Sequence, residues 1–365
     1  MNDSNIAIDT TLCLACGNCV DRCIMDNLRL SLPPCRQASP LGVNYQGIAR
    51  LLASGKEEDA ARELRRATPF GGILAVLGDP YAEKTCSRGQ AGGALRFTDL
   101  LRYLVAAQPG IVYGQEPRRL PASTKKAAVI GAGPAGLQAA WALRMSGAAV
   151  TVFEAAPEAG MTLTRTPAGE DGGNEALPAV PAEVMEKTLA MLREAGIRFL
   201  TSTPKGQADL DSLCAEYDAV LCACGRGAVL PADKNGYVKD NLFAAGSCVK
   251  NQKSLTPLQA MASAAKAAHA ARNLLEGFDI DYESDERTAR GLERFAGLGD
   301  REIDDLAPVA PAGGTYTGEE AREEASRCLG CGRPYERNKT CWYCLPCEVV
   351  CPTQALHVRI PYLIR

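Results

Sequence analysis

The chain has 365 residues, 46% of them hydrophobic, enough for two or three domains with a buried core that needs no covalent staples. Its 40 Lys and Arg against 43 Asp and Glu leave a formal charge of −3, which excludes the basic footprint of a nucleic-acid partner and offers nothing to a membrane surface. The opening MNDSNIAIDTTLC lacks a basic and then apolar leader, and no run of eighteen apolar residues occurs, so a cytoplasmic protein without membrane insertion is expected.

Sixteen cysteines in a reducing compartment point to metal binding rather than disulfides. With only two histidines, His269 and His357, Cys/His zinc sites and histidine acid–base chemistry are poorly supplied. Spacing narrows the choice. Cys13, Cys16, Cys19 and Cys23 stand as C-x2-C-x2-C-x3-C, and Cys341, Cys344, Cys347 and Cys351 repeat it, with Pro352 following. That is the spacing by which one loop wraps a corner of a [4Fe–4S] cubane, the fourth thiolate often serving a neighbouring cluster; structural zinc is the competing reading.

After the first cassette, SLPPCRQASPLGV is expected to be an extended loop because of its prolines. A helix is predicted from about Ser54, with Ser54 and Glu57 at capping-box spacing and Pro69 closing it, and RFTDLLRYLVAA makes a second amphipathic helix. QPGIVYGQEPRRLPASTKK reads as linker. From Ala127 the pattern becomes alternating strand and helix, the signature of an α/β domain. Gly131, Gly133 and Gly136 form G-x-G-x-x-G between a strand and a helix, and Glu154 ends the next strand. The first glycine permits the tight turn, the second lets backbone approach a pyrophosphate, the third allows close helix–strand packing, and Glu154 accepts from a ribose hydroxyl. DAVLCACG is a further strand, TPLQAMASAAKAAHAARNLLEG a long alanine-rich helix stopped by Gly277, and residues 278 to 316 a charged surface excursion. Thr317 and Glu320 then cap a helix leading into the last cassette. Cys214, Cys222, Cys224 and Cys248 read as core packing, and both histidines as structural.

GAGPAGL with VTVFE resembles the FAD-binding fingerprint of the two-dinucleotide-domain flavoproteins. Over roughly residues 30 to 277 the chain resembles the small-subunit family of glutamate synthase, itself similar to the amino-terminal half of dihydropyrimidine dehydrogenase and to ferredoxin:NADP transhydrogenase subunits. The order carries the resemblance: PPCRQASPLGV, the Ser54 helix, TCSRG, GAGPAGL, FE, DAVLCACG and LFAAGS. It implies FAD held by Gly131, Gly133, Pro134, Ala135, Gly136, Glu154, Gly225, Gly246 and Ser247, the last standing where the family has an acid. It implies further that Cys35 and Cys86 bind a cluster, although Ser39 replaces one ligand of that family and VLGDPYAEK lacks two more. The cassettes look like those of a bacterial dicluster ferredoxin, with Ile24 where proline is usual in the first. Adding Cys35, Cys86, Cys328 and Cys331 to the eight cassette cysteines gives twelve ligands, which serve three clusters, or two with thiols to spare; the pairing stays open.

Relatives of this kind place a whole nicotinamide-binding domain between DAVLCACG and LFAAGS. Here the interval is RGAVLPADKNGYVKDN, too short for a βαβ unit of about thirty residues. The expectation is therefore an α/β chain with a single Rossmann-like FAD domain: 1–120 a helical iron–sulfur domain, 121–280 the FAD domain, 281–326 linker and helix, 327–365 a ferredoxin-like segment. Its expected role is an electron-transfer subunit serving a catalytic large subunit, of a molybdenum or tungsten enzyme for instance, or ferredoxin. The alternatives are a flavin enzyme taking NAD(P)H or a small substrate at its open face, and a non-catalytic redox-sensing or assembly module.

Overall fold

A computed structural model of the chain describes residues 4–114, 123–165, 178–252, 255–281, 292–294, 297 and 303–360. They form two compact units: Tyr113–Glu283, and a unit joining Met1–Val112 to Ser284–Arg365.

The Tyr113–Glu283 unit is built on a six-stranded sheet. Its strands are β3 (Lys126–Ile130), β4 (Ala149–Phe153), β5 (Arg198–Leu200), β6 (Ala219–Cys222), β7 (Tyr237–Lys239) and β8 (Leu242–Ala244), in the spatial order β5-β4-β3-β6-β8-β7. All neighbours are parallel except β7 and β8. The inner strands are apolar on both faces, AVLC of β6 being buried at every position, as a parallel sheet covered by helices requires. The mixed α/β character and the Rossmann-like sheet expected from the sequence are thus present.

The helix Pro134–Met145 follows β3, and the twenty-residue helix Pro257–Glu276 packs along it. Ala264, Ala267, Ala268 and Ala271 are buried on that longer helix, and side chains this small let two helix backbones approach closely. Its start is fixed by a capping box: the Thr256 side chain accepts from the Gln259 amide at 3.3 Å and Gln259 accepts from the Thr256 amide at 3.0 Å, with Pro257 in the first turn. Gly277, at φ 81, closes it. Replacing Thr256 with Ala should lower stability by about 1 kcal/mol, read as a shifted denaturant midpoint at unchanged slope.

Between β6 and β8 lies no domain. The chain makes a short turn at Gly225–Gly227, a tight bend in which the Asp233 carboxylate accepts from the amides of Asn235 and Tyr237, and the edge strand β7. β7 pairs antiparallel with β8, which lies parallel to β6.

The other unit is mostly helical in its first part, with helices over Tyr45–Ala53, Glu57–Ala67, Gly71–Leu77 and Phe97–Ala107 around a core of Tyr45, Phe70, Ile48, Leu52, Leu64 and Leu100. Two local expectations fail here. Ser54 caps nothing: it ends the helix Tyr45–Ala53, its hydroxyl donating back to the Arg50 carbonyl, and the next helix begins at Glu57 without a side-chain cap. SLPPCRQA is not an extended loop, because Pro34 occupies the first turn of the short helix Pro34–Ala38, where its missing N–H costs nothing.

The two chain ends are joined by strands. β1 (Ile6–Ile8) pairs antiparallel with β11 (Leu356–Val358), and β2 (Leu28–Leu32) pairs antiparallel with β10 (Arg333–Glu336) and parallel with β9 (Leu292–Arg294). The strands β10 and β11 of the segment expected to be a ferredoxin-like terminus therefore pair with β2 and β1 near the start of the chain. β9 sits inside the stretch expected to be a charged surface excursion, where no strand was expected. The capping box of Thr317 and Glu320 forms as expected.

Candidate functional site

The glycine turn of the α/β unit joins β3 to the helix Pro134–Met145. Gly131 has φ 97, a conformation open to glycine, and a Cβ there would lie 2.5 Å from the Ala223 carbonyl oxygen. Gly136 packs so closely that a Cβ would run into the Gly131 carbonyl. Gly133 borders open space except for the Thr162 hydroxyl, 3.2 Å from the added carbon. Pro134 and Ala135 open the helix, whose first amides have no intrahelical partner and carry the positive end of the helix dipole.

Glu154, just past β4, aims back at this turn: its carboxylate accepts from the Ala132 amide at 2.6 Å and the Ala156 amide at 2.8 Å. Two carboxylate oxygens have lone pairs left over for a ribose hydroxyl. Gly246 follows β8 at φ 72, and its added Cβ would lie 3.1 Å from that of Ala135, so the LFAAGS segment reaches the first turn of the glycine-loop helix. Ser247 is half-buried beside it. Gly225 sits at φ 63 in the turn after β6 with free space around its α-carbon.

In the other unit the cassette loops share one backbone form. Ala15 and Gly17, either side of Cys16, have φ 52 and 94; Tyr343 and Leu345, either side of Cys344, have φ 58 and 70. Three residues beyond the fourth cysteine of each, Asp26 and Gln354 have φ 51 and 53. Left-handed residues at matching positions curl each loop around its thiols, a conformation that costs a non-glycine residue on the order of 1 kcal/mol. The short helices Asn18–Asp21 and Pro346–Val349 follow and pack on each other.

The thiols do not group by cassette. A cavity is lined by Cys13, Cys16, Cys19 and, from the far end of the chain, Cys351 with Pro352. The Cys19 thiol is raised by burial and then by its neighbours Cys16, Cys13, Cys351 and Cys347. Reciprocally, Cys347 is pushed up to about 11 by burial and by Cys23, Cys341 and Cys344. Both groups lie around a small core of Ile6, Leu28 and Leu356. A third group forms around Cys35, raised well above the ordinary thiol range by burial and by Cys328, Cys86 and Cys331; Cys328 is likewise pushed up to about 11, against the Arg50 guanidinium. Backbone amides point at several sulfurs: Ala15 at Cys13 (3.4 Å), Asn27 at Cys23 (3.3 Å) and Ala355 at Cys351 (3.1 Å).

Among the described residues no three His, Cys, Asp or Glu side chains come together as they would around one metal ion. The thiols instead gather with one another, with backbone amides directed at several sulfurs, a donor chemistry that fits iron–sulfur clusters better than a single harder ion. Where the resembling family has a further ligand, Ser39 donates to Asp79 at 2.6 Å, and Asp79 also accepts from Tyr45 (3.1 Å) and the Ala82 amide (3.1 Å), a buried polar network in place of thiols. His357 lies at the surface, 3.2 Å from Glu348. No helix among the described residues is long and apolar enough to cross a membrane.

Residues 129–183 match the family described as NAD(P)-binding Rossmann-like domain. The chain is 27% identical over 216 residues to the NADP(+)-dependent formate dehydrogenase subunit beta of Moorella thermoacetica, covering 53% of this chain and 29% of that one. It is 28% identical over 234 residues to the glutamate synthase (NADPH) small chain of Escherichia coli K12, covering 61% and 44%. It is 27% identical over 205 residues to the NAD-dependent dihydropyrimidine dehydrogenase subunit PreT of Salmonella typhimurium, covering 53% and 46%. The matched part thus spans less than half the length of each of these relatives. With the glycine turn and the single Rossmann-like sheet, these matches make the chain similar to glutamate synthase small chains and to a formate dehydrogenase beta subunit over its middle part.

Proposed function

We propose that this chain is an electron-transfer subunit that holds FAD at the Gly131 turn and three [4Fe–4S] clusters, and that it works with a separate catalytic subunit or with ferredoxin. The observation that carries this reading is how the thiols gather: Cys351 lines a cavity with Cys13, Cys16 and Cys19, Cys347 neighbours Cys23, Cys341 and Cys344, and Cys35 neighbours Cys86, Cys328 and Cys331, from which we assign three sets of four ligands. A cubane takes each thiolate on a different iron, so its ligands stand wider apart than those of one ion, and the amides at Cys13, Cys23 and Cys351 stabilise negative charge on sulfur. Flavin exchanges electrons in pairs and clusters exchange them singly, so the combination suits a chain that converts one kind of traffic to the other.

The chain's own residues define what binds. Gly133 and the free amides of the helix that starts at Pro134 favour a pyrophosphate, and Glu154 is held by two backbone amides where it can accept from a ribose hydroxyl. The hairpin between β6 and β8 leaves no room for a second dinucleotide fold at that point, and this supports a partner as the electron source or sink. By analogy with the relative named a formate dehydrogenase subunit, a molybdenum or tungsten enzyme is the kind of partner proposed. In its simplest test, the purified chain should bleach with dithionite but stay oxidised with NADH or NADPH alone. Rapid bleaching by either nucleotide overturns the partner-dependent reading.

One observation favours a second reading. The match over residues 129–183 is to a family described by NAD(P) binding, which would put a nicotinamide nucleotide at the same turn. Heat release of the bound nucleotide and its identification by mass separates the two: FAD supports the first reading and NAD(P) the second.

A further inference from the structure

The cluster and flavin sites leave four cysteines of the α/β unit unused, and three of them meet. Cys222 ends β6 and is buried; Cys224, at φ −82 and ψ 18, turns the chain instead of continuing the pleat. The bend brings their sulfurs to 3.4 Å. Cys248, fully buried in the turn after β8, places its thiol 3.0 Å from the carbonyl oxygens of Cys222 and Ala245. Cys214 packs against the same core from the helix Leu210–Glu216 but stands outside this group.

A buried cysteine is usually a small hydrophobe. Two features exceed that role. The sulfurs need to close by only about 1.4 Å to reach the bonded separation of about 2.05 Å. The Cys222 thiol, and after it Cys248, also stabilises negative charge on Cys224, holding its pKa below the usual thiol range, while Cys222 itself is raised. Half-buried Cys224 is the thiol a small disulfide can reach, which makes it the attacking sulfur and buried Cys222 the resolving one.

The pair also touches the nucleotide site. The space that a side chain at Gly131 would need is taken by the Ala223 carbonyl, 2.5 Å away, and the Cys224 α-carbon, 3.0 Å away. The peptide between the two cysteines is therefore the wall against which the glycine turn rests.

We propose that Cys222 and Cys224 form a dithiol–disulfide pair, oxidised by a low-molecular-weight disulfide, whose state sets how firmly the Gly131 turn holds its dinucleotide; the second clause rests on the dinucleotide reading above. The Cys224 thiolate attacks one sulfur of the disulfide, forming a mixed disulfide and releasing one thiolate. The Cys222 sulfur then displaces the second thiolate and gives its proton to it. Two protein thiols are oxidised, one small disulfide is reduced to two thiols, and no other reactant is needed. Drawing the sulfurs together moves the Ala223–Cys224 peptide and with it the floor of the turn.

The test uses the full chain with its cofactors, treated with oxidised glutathione, alkylated, digested and mapped by mass. Cys222 and Cys224 should both escape alkylation and the peptide should have lost two hydrogens, both effects reversed by dithiothreitol, while Cys214 stays alkylatable. Alkylation of both, or a stable glutathione adduct on Cys224 with Cys222 free, overturns the pair. Bound nucleotide should leave the oxidised wild type and stay on similarly treated Cys224→Ser or Cys222→Ala, at unchanged iron content; equal release from all three overturns the coupling. A reduced chain that holds no dinucleotide sinks the reading beneath the coupling, whereas the mapped disulfide still decides the pair.

Discussion

Replacing Cys23 and Cys347 together with alanine should remove one cluster, about four iron atoms per chain, whereas replacing Cys23 and Cys19 together should remove two, about eight of about twelve. The prediction follows from the proposed crossing of ligands between chain ends. Cys23 belongs to the first cassette by sequence but lies with Cys341, Cys344 and Cys347, and Cys351 lies with Cys13, Cys16 and Cys19. If each cassette instead served its own cluster, the two double variants would exchange results. Alanine is preferred to serine because a serine oxygen can still ligate iron. Chemical iron analysis and the electron paramagnetic signal of the reduced chain read the outcome, and neither needs turnover. Cys328→Ala supplies the control: it should strip a third cluster and leave both others, because its neighbours are Cys35, Cys86 and Cys331.

The sequence leaves the pairing open because a fourth thiolate can serve a neighbouring cluster, and what decides it is register. Spacing reports what one loop can wrap, and both C-x2-C-x2-C loops were legible as such. It does not report that β1 pairs with β11 and β2 with β10, and those pairings put each fourth cysteine beside the other loop. A two-fold relation hides further in residue types that do not match: Ala15 and Tyr343 share a left-handed conformation, as do Gly17 and Leu345, yet only Gly17 announces it. The α/β unit was more open to reading. Its strands, the glycine turn and the Gly277 stop follow from periodicity and punctuation that act locally. Local signals also misled. Ser54 and Glu57 have capping spacing, but the chain had already spent Ser54 on ending the preceding helix. Cys222 and Cys224 read as ordinary core residues because nothing in C-x-C tells whether the second residue continues the strand or turns, and the turn is what brings the sulfurs together.

The glycine turn offers the second large effect, because its three glycines are required for different reasons. A methyl at Gly136 collides with the Gly131 carbonyl, and neither side of that contact is a movable side chain. Gly136→Ala should therefore lift the helix Pro134–Met145 off β3, costing about 3 kcal/mol, the upper end of overpacking. For a unit of this size that lowers the melting temperature by roughly 6–12 °C. At Gly133 the added carbon meets only the Thr162 hydroxyl at 3.2 Å, which rotates away, so the fold should survive. What Gly133→Val fills is the space a pyrophosphate needs to reach the first amides of the helix. Nucleotide affinity should fall by on the order of a hundredfold or more with melting nearly unchanged. Iron should stay at the wild-type level in both variants, because all twelve proposed cluster ligands lie in the unit formed by the two chain ends. Should Gly133→Val lose iron along with nucleotide, the two units would have to fold as one, and the separate placing of flavin and thiol sets would fail with them.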